Sequence, residues 1–258
     1  MSDDHELAGR LATEAGELLL GVRIEFADAE SVDRKAAGDK RSHDFLMAAL
    51  AEHRPADAVL SEESADDPIR LQSHRVWIVD PLDGTREFSE EGRADWAVHV
   101  ALWTADSSSP SHLTAGAVAM PAQHRTFATD QPPAYPPLPL AAATGGPIRI
   151  AASRTRPPAF VTALAEDIGA ELVPMGSAGV KIAAVVNGDA DAYVHAGGQY
   201  EWDSAAPVAV ASATGLHASR IDGTALKYNQ ADPKLPDLVV CRKDLAPRLL
   251  AALQRHLP

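Results

Sequence analysis

The hexapeptide at residues 80–85, Asp-Pro-Leu-Asp-Gly-Thr, constrains the fold of this 258-residue chain more than any other segment. It follows residues 75–79, Arg-Val-Trp-Ile-Val, a β-branched and aromatic run that predicts a buried strand ending at Asp80. Pro81 has no N–H to donate, so we expect it to end the hydrogen-bond ladder of that strand. Both aspartates and the Leu82 carbonyl then lie on one tight turn, where they can point at a single spot.

Further carboxylates lie before and after this hexapeptide. Glu62 and Glu63 precede it in the segment Leu-Ser-Glu-Glu-Ser, and Asp203 follows it in Trp-Asp-Ser-Ala-Ala. The residues after Asp203 predict a helix from Ser204 to about Thr214, with the aspartate as its N-cap. Carboxylates that converge cannot all ionise without cations between them. The set therefore predicts a metal site with oxygen ligands, which suits Mg²⁺ or Mn²⁺.

The end of the hexapeptide adds a phosphate site beside the predicted cations. Gly84 and Thr85 offer accessible backbone N–H groups for a phosphate oxygen, especially if a helix begins there. Hydrolysis of a phosphate monoester is very slow without a catalyst, and paired Mg²⁺ ions neutralise charge and activate water. No protein nucleophile is required. We therefore expect a phosphatase that uses direct, in-line attack by water and forms no phosphoenzyme.

These motifs together resemble the signatures of a known family. Glu62 and Glu63, residues 80–85 and residues 202–206 are similar, in order and spacing, to motifs of the inositol monophosphatase superfamily of Mg²⁺-dependent, Li⁺-sensitive phosphatases. The resemblance runs from about residue 5 to the C-terminus. Residues 86–88, Arg-Glu-Phe, are similar to the Lys/Arg-Glu-Phe of CysQ-type 3′-phosphoadenosine 5′-phosphate phosphatases, especially those of actinobacteria. The fold implied is a layered αβαβα sandwich, of the Mg-dependent, Li-sensitive sugar phosphatase type.

The resemblance implies a role for each carboxylate. The ligands of the first Mg²⁺ are then Glu62, Asp80 and the Leu82 carbonyl. The ligands of the second Mg²⁺ are Asp80, Asp83 and Asp203. Glu62 also contributes to a third, weaker ion, and Mn²⁺ can substitute for Mg²⁺.

The resemblance also assigns the attacking water and the phosphate. Asp39 pairs with Thr85 to orient the water, and Glu62 is a further catalytic carboxylate. Residues 83–85 bind phosphate, mainly through the amides of the last two. This chain departs from the family at Gly38, where many members have Thr.

The implied substrate is 3′-phosphoadenosine 5′-phosphate, hydrolysed to AMP and phosphate in sulfur assimilation, with 3′-phosphoadenosine 5′-phosphosulfate as a second candidate. The residues implied to bind it are Arg86, Ser153, Arg154, Gly176, Ser177 and Lys181. Two alternatives stay open within the superfamily, namely inositol monophosphate and fructose 1,6-bisphosphate. A remote alternative is a non-catalytic metal-binding protein, since residues 80–91 carry Asp and Glu at the two ends of an EF-hand loop, although they lack its central Gly.

Composition restricts the partners and the compartment. The chain has 23 Lys and Arg against 36 Asp and Glu, a net charge of −13, which argues against binding a nucleic acid polymer but permits a small phosphorylated metabolite. The single cysteine, Cys241, excludes an internal disulfide, and its apolar neighbours predict a buried strand residue. Without a signal peptide or a membrane-spanning run, the expected location is the cytoplasm. The resemblance implies a homodimer.

The pattern of elements predicts two halves. Residues 1–140 are predicted to form an α+β domain that carries most metal ligands and ends in a proline-rich linker at residues 131–140. Residues 141–258 are predicted to form an α/β domain. The site is then expected in the cleft between them. Predicted helices cover residues 7–22, 40–52, 157–168, 178–187, 204–214 and 245–253. Predicted strands cover residues 58–60, 75–79, 96–103, 113–120, 126–128, 148–152, 171–174, 191–195 and 238–241.

Five further interpretations concern single residues and short segments. His99 is predicted to be a hydrogen-bonded core histidine, and Trp202 to pack at the junction of the halves. Residues 195–199 are predicted to form a flexible approach to the Trp-Asp motif. Residues 222–223, Asp-Gly, predict a tight turn between short strands, and Asp244 is predicted to cap the last helix.

Overall fold

The computed structural model describes residues 3–109, 111–135, 145–155 and 157–256. Much of the predicted proline-rich linker lies outside these residues, so the division into domains at residue 140 stays a prediction. The first half contributes two long helices, α1 (Asp4–Glu25) and α2 (Ser31–His53). The prediction for α2 was too short by nine residues at its start. Asp39 therefore lies inside a helix.

A five-stranded sheet packs against these helices. Its strands, in the order in which they pair, are β1 (Ala58–Ser61), β2 (Arg75–Asp83), β3 (Ala97–Thr104), β4 (Leu113–Met120) and β5 (Arg125–Ala128). Strands β1 and β2 are parallel, and the other neighbours are antiparallel. Short 3₁₀ helices at Pro68–Gln72 and Pro121–Gln123 precede β2 and follow β4.

Strand β2 does not end at Asp80 as predicted. Asp80 pairs with His99 and Asp83 pairs with Ala97, so three steps along β2 match two along β3. The extra residue forms a bulge, and Pro81 is tolerated there because a bulge leaves one residue out of the ladder. The bulge also excludes the EF-hand alternative, since both aspartates lie in a strand.

The second half contributes another five-stranded sheet. Its strands, in pairing order, are β7 (Glu171–Met175), β6 (Arg149–Ser153), β8 (Ala192–Tyr200), β10 (Lys234–Cys241) and β9 (His217–Ser219). Strand β6 is parallel to β7 and β8, and β10 is antiparallel to β8 and β9. The remaining helices are α3 (Thr85–Ser89), α4 (Ala159–Ile168), α5 (Ala178–Asn187), α6 (Glu201–Thr214) and α7 (Ala246–Leu253).

Several predicted details of this half were wrong. Residues 195–199 are not a loop, because β8 continues through them to Tyr200 and pairs with β10. Asp244 does not cap α7, and its side chain is paired with Arg242 instead. A turn is present at residues 220–223, where Gly223 N donates to the Arg220 carbonyl at 3.0 Å. No second short strand follows that turn among the described residues before β10.

Three hydrophobic clusters order these elements into five layers. The first joins α1 and α2 to one face of the first sheet, and the second joins the opposite face to α5, α6 and one face of the second sheet. The third joins α4 and α7 to the outer face of the second sheet and includes the buried Cys241. The layers alternate αβαβα, which confirms the predicted fold. Trp202 packs, partly buried, against the middle cluster.

Among the described residues, no helix combines the length and the apolar character that crossing a membrane requires.

The middle layer depends on a close approach between β4 and α6. A Cβ at Gly116 would lie 2.8 Å from the Ala209 Cβ, whereas a Cβ at Gly21 in α1 meets nothing within 4 Å. We expect Gly116→Ala to lower the free energy of unfolding by about 1–3 kcal/mol, because overpacking displaces α6. Gly21→Ala is the matched control and should raise it by about 0.5–1 kcal/mol. Urea unfolding measures both, and a Gly116→Ala protein as stable as the wild type would contradict the packing.

Candidate active site

The pairing of two parallel strands brings the first two carboxylates together. Ser61 at the end of β1 pairs with Val79 in β2, so the residues that follow, Glu62 and Asp80, reach the same end of the sheet. The Asp80 side chain is almost fully buried. Burial raises the pKa of Asp80 well above its usual value, and the nearby charges of Glu62, Asp83 and Asp203 raise it further.

The fold brings the aspartate of the second half into this cluster. The prediction that Asp203 is the N-cap of α6 was wrong, because Asp203 is the third residue of the helix. Its Oδ2 accepts a hydrogen bond from Tyr200 N at 2.6 Å. Burial raises the pKa of Asp203 to about 7, and the charges of Asp83 and Glu62 act in the same direction. Carboxylates from both halves therefore share one site.

Glu62 shows the same electrostatic conflict. Burial raises its pKa to about 7, and repulsion from Asp83, Glu63 and Asp39 acts in the same direction. Buried carboxylates with raised pKa values are unfavourable as anions unless positive charge lies between them. Their oxygen-only donor set fits a hard divalent cation. The residues present can therefore hold the metal that the sequence predicts.

Asp83 has a second set of contacts that the sequence did not predict. Its carboxylate accepts hydrogen bonds from Ser177 Oγ at 2.5 Å, from Gly179 N at 2.6 Å and from Ala178 N at 3.2 Å. These donors form the start of α5. Asp83 thus connects the bulge of β2 to the start of α5 through hydrogen bonds.

His99 lies beside the two aspartates of the hexapeptide. It is buried and hydrogen-bonded, as predicted, since its Nδ1 donates to the Trp202 carbonyl at 3.0 Å. Its Nε2 lies 3.3 Å from Asp83 Oδ2 without a hydrogen bond of good geometry, and burial lowers its pKa. Ligand atoms of Asp80, Asp83 and His99 lie within 4.8 Å of one another, close enough to hold one metal ion. This proximity depends on the register in which β2 pairs with β3, and the sequence alone does not give that register.

Asp39 and Thr85 form the pair that the family resemblance implies. The Thr85 hydroxyl lies 3.3 Å from Asp39 Oδ1 and 3.1 Å from the Leu82 carbonyl oxygen, so it can donate to either. Burial, together with the charge of Glu63, raises the pKa of Asp39 to about 6. Gly84 has φ +87°, a left-handed conformation that glycine adopts readily, and α3 begins at the next residue.

A cavity of about 540 Å³ adjoins Asp83 and Asp203. Three of the residues predicted to bind substrate line it, namely Ser153, Ser177 and Lys181. Lys181 Nζ donates to the carbonyls of Gly176 and Ser177 at 3.2 and 2.6 Å. Burial lowers the pKa of Lys181.

The other three residues predicted to bind substrate do not line this cavity. Arg154 Nη2 donates to Glu87 at 2.9 Å and to Glu90 at 3.0 Å, and Arg86 Nε donates to the same Glu90 at 3.1 Å. Gly176 N donates to Asp95 at 2.6 Å. Arg154 is thus paired with both Glu87 of α3 and Glu90, the residue after α3, and Arg86 is paired with Glu90.

Comparisons with known proteins agree with this geometry. The inositol monophosphatase family model matches residues 4–257. A 3′-phosphoadenosine 5′-phosphate phosphatase of Mycobacterium leprae is 50% identical over 259 residues, which cover 97% of this chain and 93% of the relative. The 3′(2′),5′-bisphosphate nucleotidase CysQ of Escherichia coli K12 is 28% identical over 85% of this chain and 91% of its own. Inositol monophosphatase II of Staphylococcus aureus superposes with a TM-score of 0.77 at 21% identity, covering 95% of this chain and 94% of its own, which supports the fold.

The raised pKa values predict how stability depends on pH. Because the folded pKa of Glu62 is about 7, above the ordinary 4.5, the folded state keeps a proton that the unfolded chain releases. This contribution to stability is full below the ordinary pKa and is lost as pH rises through about 7. Histidines with lowered pKa values, such as His99, act in the opposite direction, so a difference between two proteins is the appropriate measurement.

We expect the unfolding free energy of the cation-free wild type, relative to Glu62→Gln, to fall between about pH 4.5 and about pH 7 and to level off above that range. Urea unfolding in chelator at several pH values measures this difference. Glu171→Gln, at an exposed side chain outside the cluster, is the control and should show a constant difference. A difference between wild type and Glu62→Gln that is constant or rises with pH would contradict the electrostatic account.

Proposed function

We propose that this chain, which belongs to the inositol monophosphatase family, is a Mg²⁺-dependent phosphatase that hydrolyses 3′-phosphoadenosine 5′-phosphate to AMP and phosphate. One observation carries the proposal: buried carboxylates from both halves meet beside a cavity that Asp83 and Asp203 help to line. The 50% identity to a phosphatase of that name, over 97% of the chain, supports the choice of substrate.

The cation ligands in this proposal are the carboxylates described above. Glu62, Asp80 and the Leu82 carbonyl would hold one Mg²⁺, and Asp80, Asp83 and Asp203 a second, with Glu62 contributing to a third. The donor set fits because every side chain in it is a carboxylate, and no arginine or lysine among the described residues forms an ion pair with any of them. When bound, the ions lower the pKa of a water molecule and stabilise the leaving oxygen. Mn²⁺ has similar oxygen preferences and can substitute.

The chain's own residues position the water and the phosphate. The Asp39 carboxylate and the Thr85 hydroxyl, 3.3 Å apart, form a pair that can hold the attacking water by hydrogen bonds. The amides at the start of α3, from Gly84 and Thr85, have no partner within the helix and can bind phosphate oxygens. In this proposal water attacks directly, because activation by two cations requires no protein nucleophile. Cys241 is not a candidate nucleophile, since it lies in the cluster on the outer face of the second sheet and burial raises its pKa to about 12.

The cavity supports a substrate larger than a single phosphate. Its volume of about 540 Å³ is in the range typical of small-molecule sites. Ser153, Ser177 and Lys181 line it, and they supply hydroxyl and ammonium groups for a nucleotide. The sulfated analogue, 3′-phosphoadenosine 5′-phosphosulfate, is a second candidate, and a role in sulfur assimilation follows from either substrate. The homodimer, the cytoplasmic location and sensitivity to Li⁺ stay predictions.

The first test removes one charge from the proposed site. We expect Asp83→Asn to lower phosphate release by roughly 10²-fold or more, since even residues that only support metal ligands contribute 10–100-fold. Release from 3′-phosphoadenosine 5′-phosphate with Mg²⁺ present measures it, and wild type in chelator should be equally inactive. Asp106→Asn is the control with an exposed carboxylate. Near-normal turnover of a folded Asp83→Asn protein at saturating Mg²⁺ would remove Asp83 from the site.

The second test concerns the substrate. We expect kcat/KM for 3′-phosphoadenosine 5′-phosphate to exceed the values for inositol monophosphate and fructose 1,6-bisphosphate by at least about tenfold, or ~1.4 kcal/mol of transition-state stabilisation. The three substrates are compared side by side at one Mg²⁺ concentration. If either alternative were hydrolysed better, the nucleotide assignment would be wrong while the phosphatase chemistry would stand.

A further inference from the structure

A buried arginine lies outside the site and has all of its guanidinium nitrogens occupied. Arg70, in the 3₁₀ helix after the Glu62 segment, has no exposed surface. Its Nε and Nη2 donate to the two oxygens of Asp66 at 2.5 and 2.8 Å. Its Nη1 donates to Asn229 Oδ1 at 2.8 Å, and Nη2 also donates to the Gln230 carbonyl at 2.9 Å. Burial of an arginine is unfavourable unless such partners are in place.

The partners of Arg70 in the second half hold the start of α6. Asn229 N and Gln230 N donate to the two carboxylate oxygens of Glu201 at 2.6 and 2.7 Å. The hydroxyls of Tyr228 and Ser204 are 3.0 Å apart and hydrogen-bonded. Glu201 and Ser204 are almost completely buried. Residues 228–230 therefore bind α6 two residues before Asp203 and one residue after it.

The other partner of Arg70 belongs to the chain that leaves β1. Asp66 lies four residues after Glu62, and the chain between them turns back on itself, with Ser64 N donating to the Ser61 carbonyl at 3.4 Å. One guanidinium is thus bonded directly to the segment that carries Glu62 and, through residues 228–230, to the helix that carries Asp203. These carboxylates come from different halves of the chain.

We propose that Arg70 is a positioning residue for the cation site: it fixes the separation between Glu62 and Asp203. The proposal rests on the cation site of the proposed function. The planar guanidinium suits this task because it offers five N–H donors in a fixed fork, whereas a lysine ammonium is a compact point charge. Residues that hold metal ligands in place typically contribute 10–100-fold to metal affinity.

The test measures metal binding directly. The free Mn²⁺ concentration is followed by electron paramagnetic resonance during titration of wild type, Arg70→Lys and Arg149→Lys. Arg149 is a matched control, because it is also largely buried and donates to Asp191 at 3.3 Å and to the Gly188 carbonyl at 2.8 Å, among residues that hold no proposed ligand. We expect Arg70→Lys to bind Mn²⁺ about tenfold more weakly and Arg149→Lys to bind it within about twofold of wild type.

A kinetic readout separates positioning from general destabilisation. For Arg70→Lys, the Mn²⁺ concentration that gives half-maximal activity should rise by the same factor, while kcat at saturating Mn²⁺ recovers most of the wild-type value. A purely structural role would lower the amount of folded enzyme and leave the metal requirement unchanged.

Asn229→Gly keeps the experiment decisive if Arg70→Lys does not fold. Asn229 has φ +58°, so glycine adopts its backbone readily, keeps the N–H bond to Glu201 and loses only the side-chain contacts with Arg70. We expect weaker Mn²⁺ binding here too.

If Arg70→Lys binds Mn²⁺ as tightly as the wild type, the proposal is wrong. If Arg70→Lys does not fold, wild-type affinity of Asn229→Gly for Mn²⁺ overturns the proposal. Equal weakening in Arg149→Lys also overturns it. A wild type that binds no Mn²⁺ overturns the proposed cation site itself, which is a distinguishable result.

Discussion

Repulsion between buried carboxylates is the constraint on which the site depends. Asp80, Glu62 and Asp203 have raised pKa values because burial and one another's charges oppose ionisation. Stability alone does not favour this arrangement, because a carboxylate anion is more stable in water than in a buried cluster of like charges. Divalent cations remove the conflict. The cluster therefore stores, in the cation-free protein, an unfavourable electrostatic energy that metal binding relieves, and this coupling links binding to folding.

The five-layer fold produces this gathering through strand pairing. The parallel pair β1 and β2 delivers Glu62 and Asp80 to one end of the first sheet. The bulge in β2 then turns Asp83 toward α5, whose first residues bind it. Helix α6, which packs beside α5 in the middle layer, supplies Asp203. The second sheet contributes no proposed metal ligand, but strands β6 and β8 line the cavity in which the substrate would bind.

The sequence predicted the parts of the site that depend on local pattern and missed those that depend on distant pairing. Burial of the strand before Asp80 follows from residue types over a few positions. The helix that begins at Thr85 was not among the predicted helices and was considered only as a condition that would favour phosphate binding. The bulge could not be predicted, because Pro81 is a sound reason to end a strand unless the partner strand is known. The sequence also did not predict that Glu87 and Glu90, more than sixty residues earlier, pair with the guanidinium of Arg154, whose contact with substrate stays a prediction. Arg70 showed no signal at all, since its partner Asn229 lies 159 positions away.

The most direct measurement is the location of manganese in crystals of the protein grown or soaked with Mn²⁺. Anomalous difference maps at the manganese absorption edge should show ions enclosed by Glu62, Asp80, Asp83 and Asp203. Movement of Asp83 away from α5 to reach an ion would be consistent with the account. Maps that place manganese only at other carboxylates, with these four side chains unoccupied at saturating Mn²⁺, would contradict it.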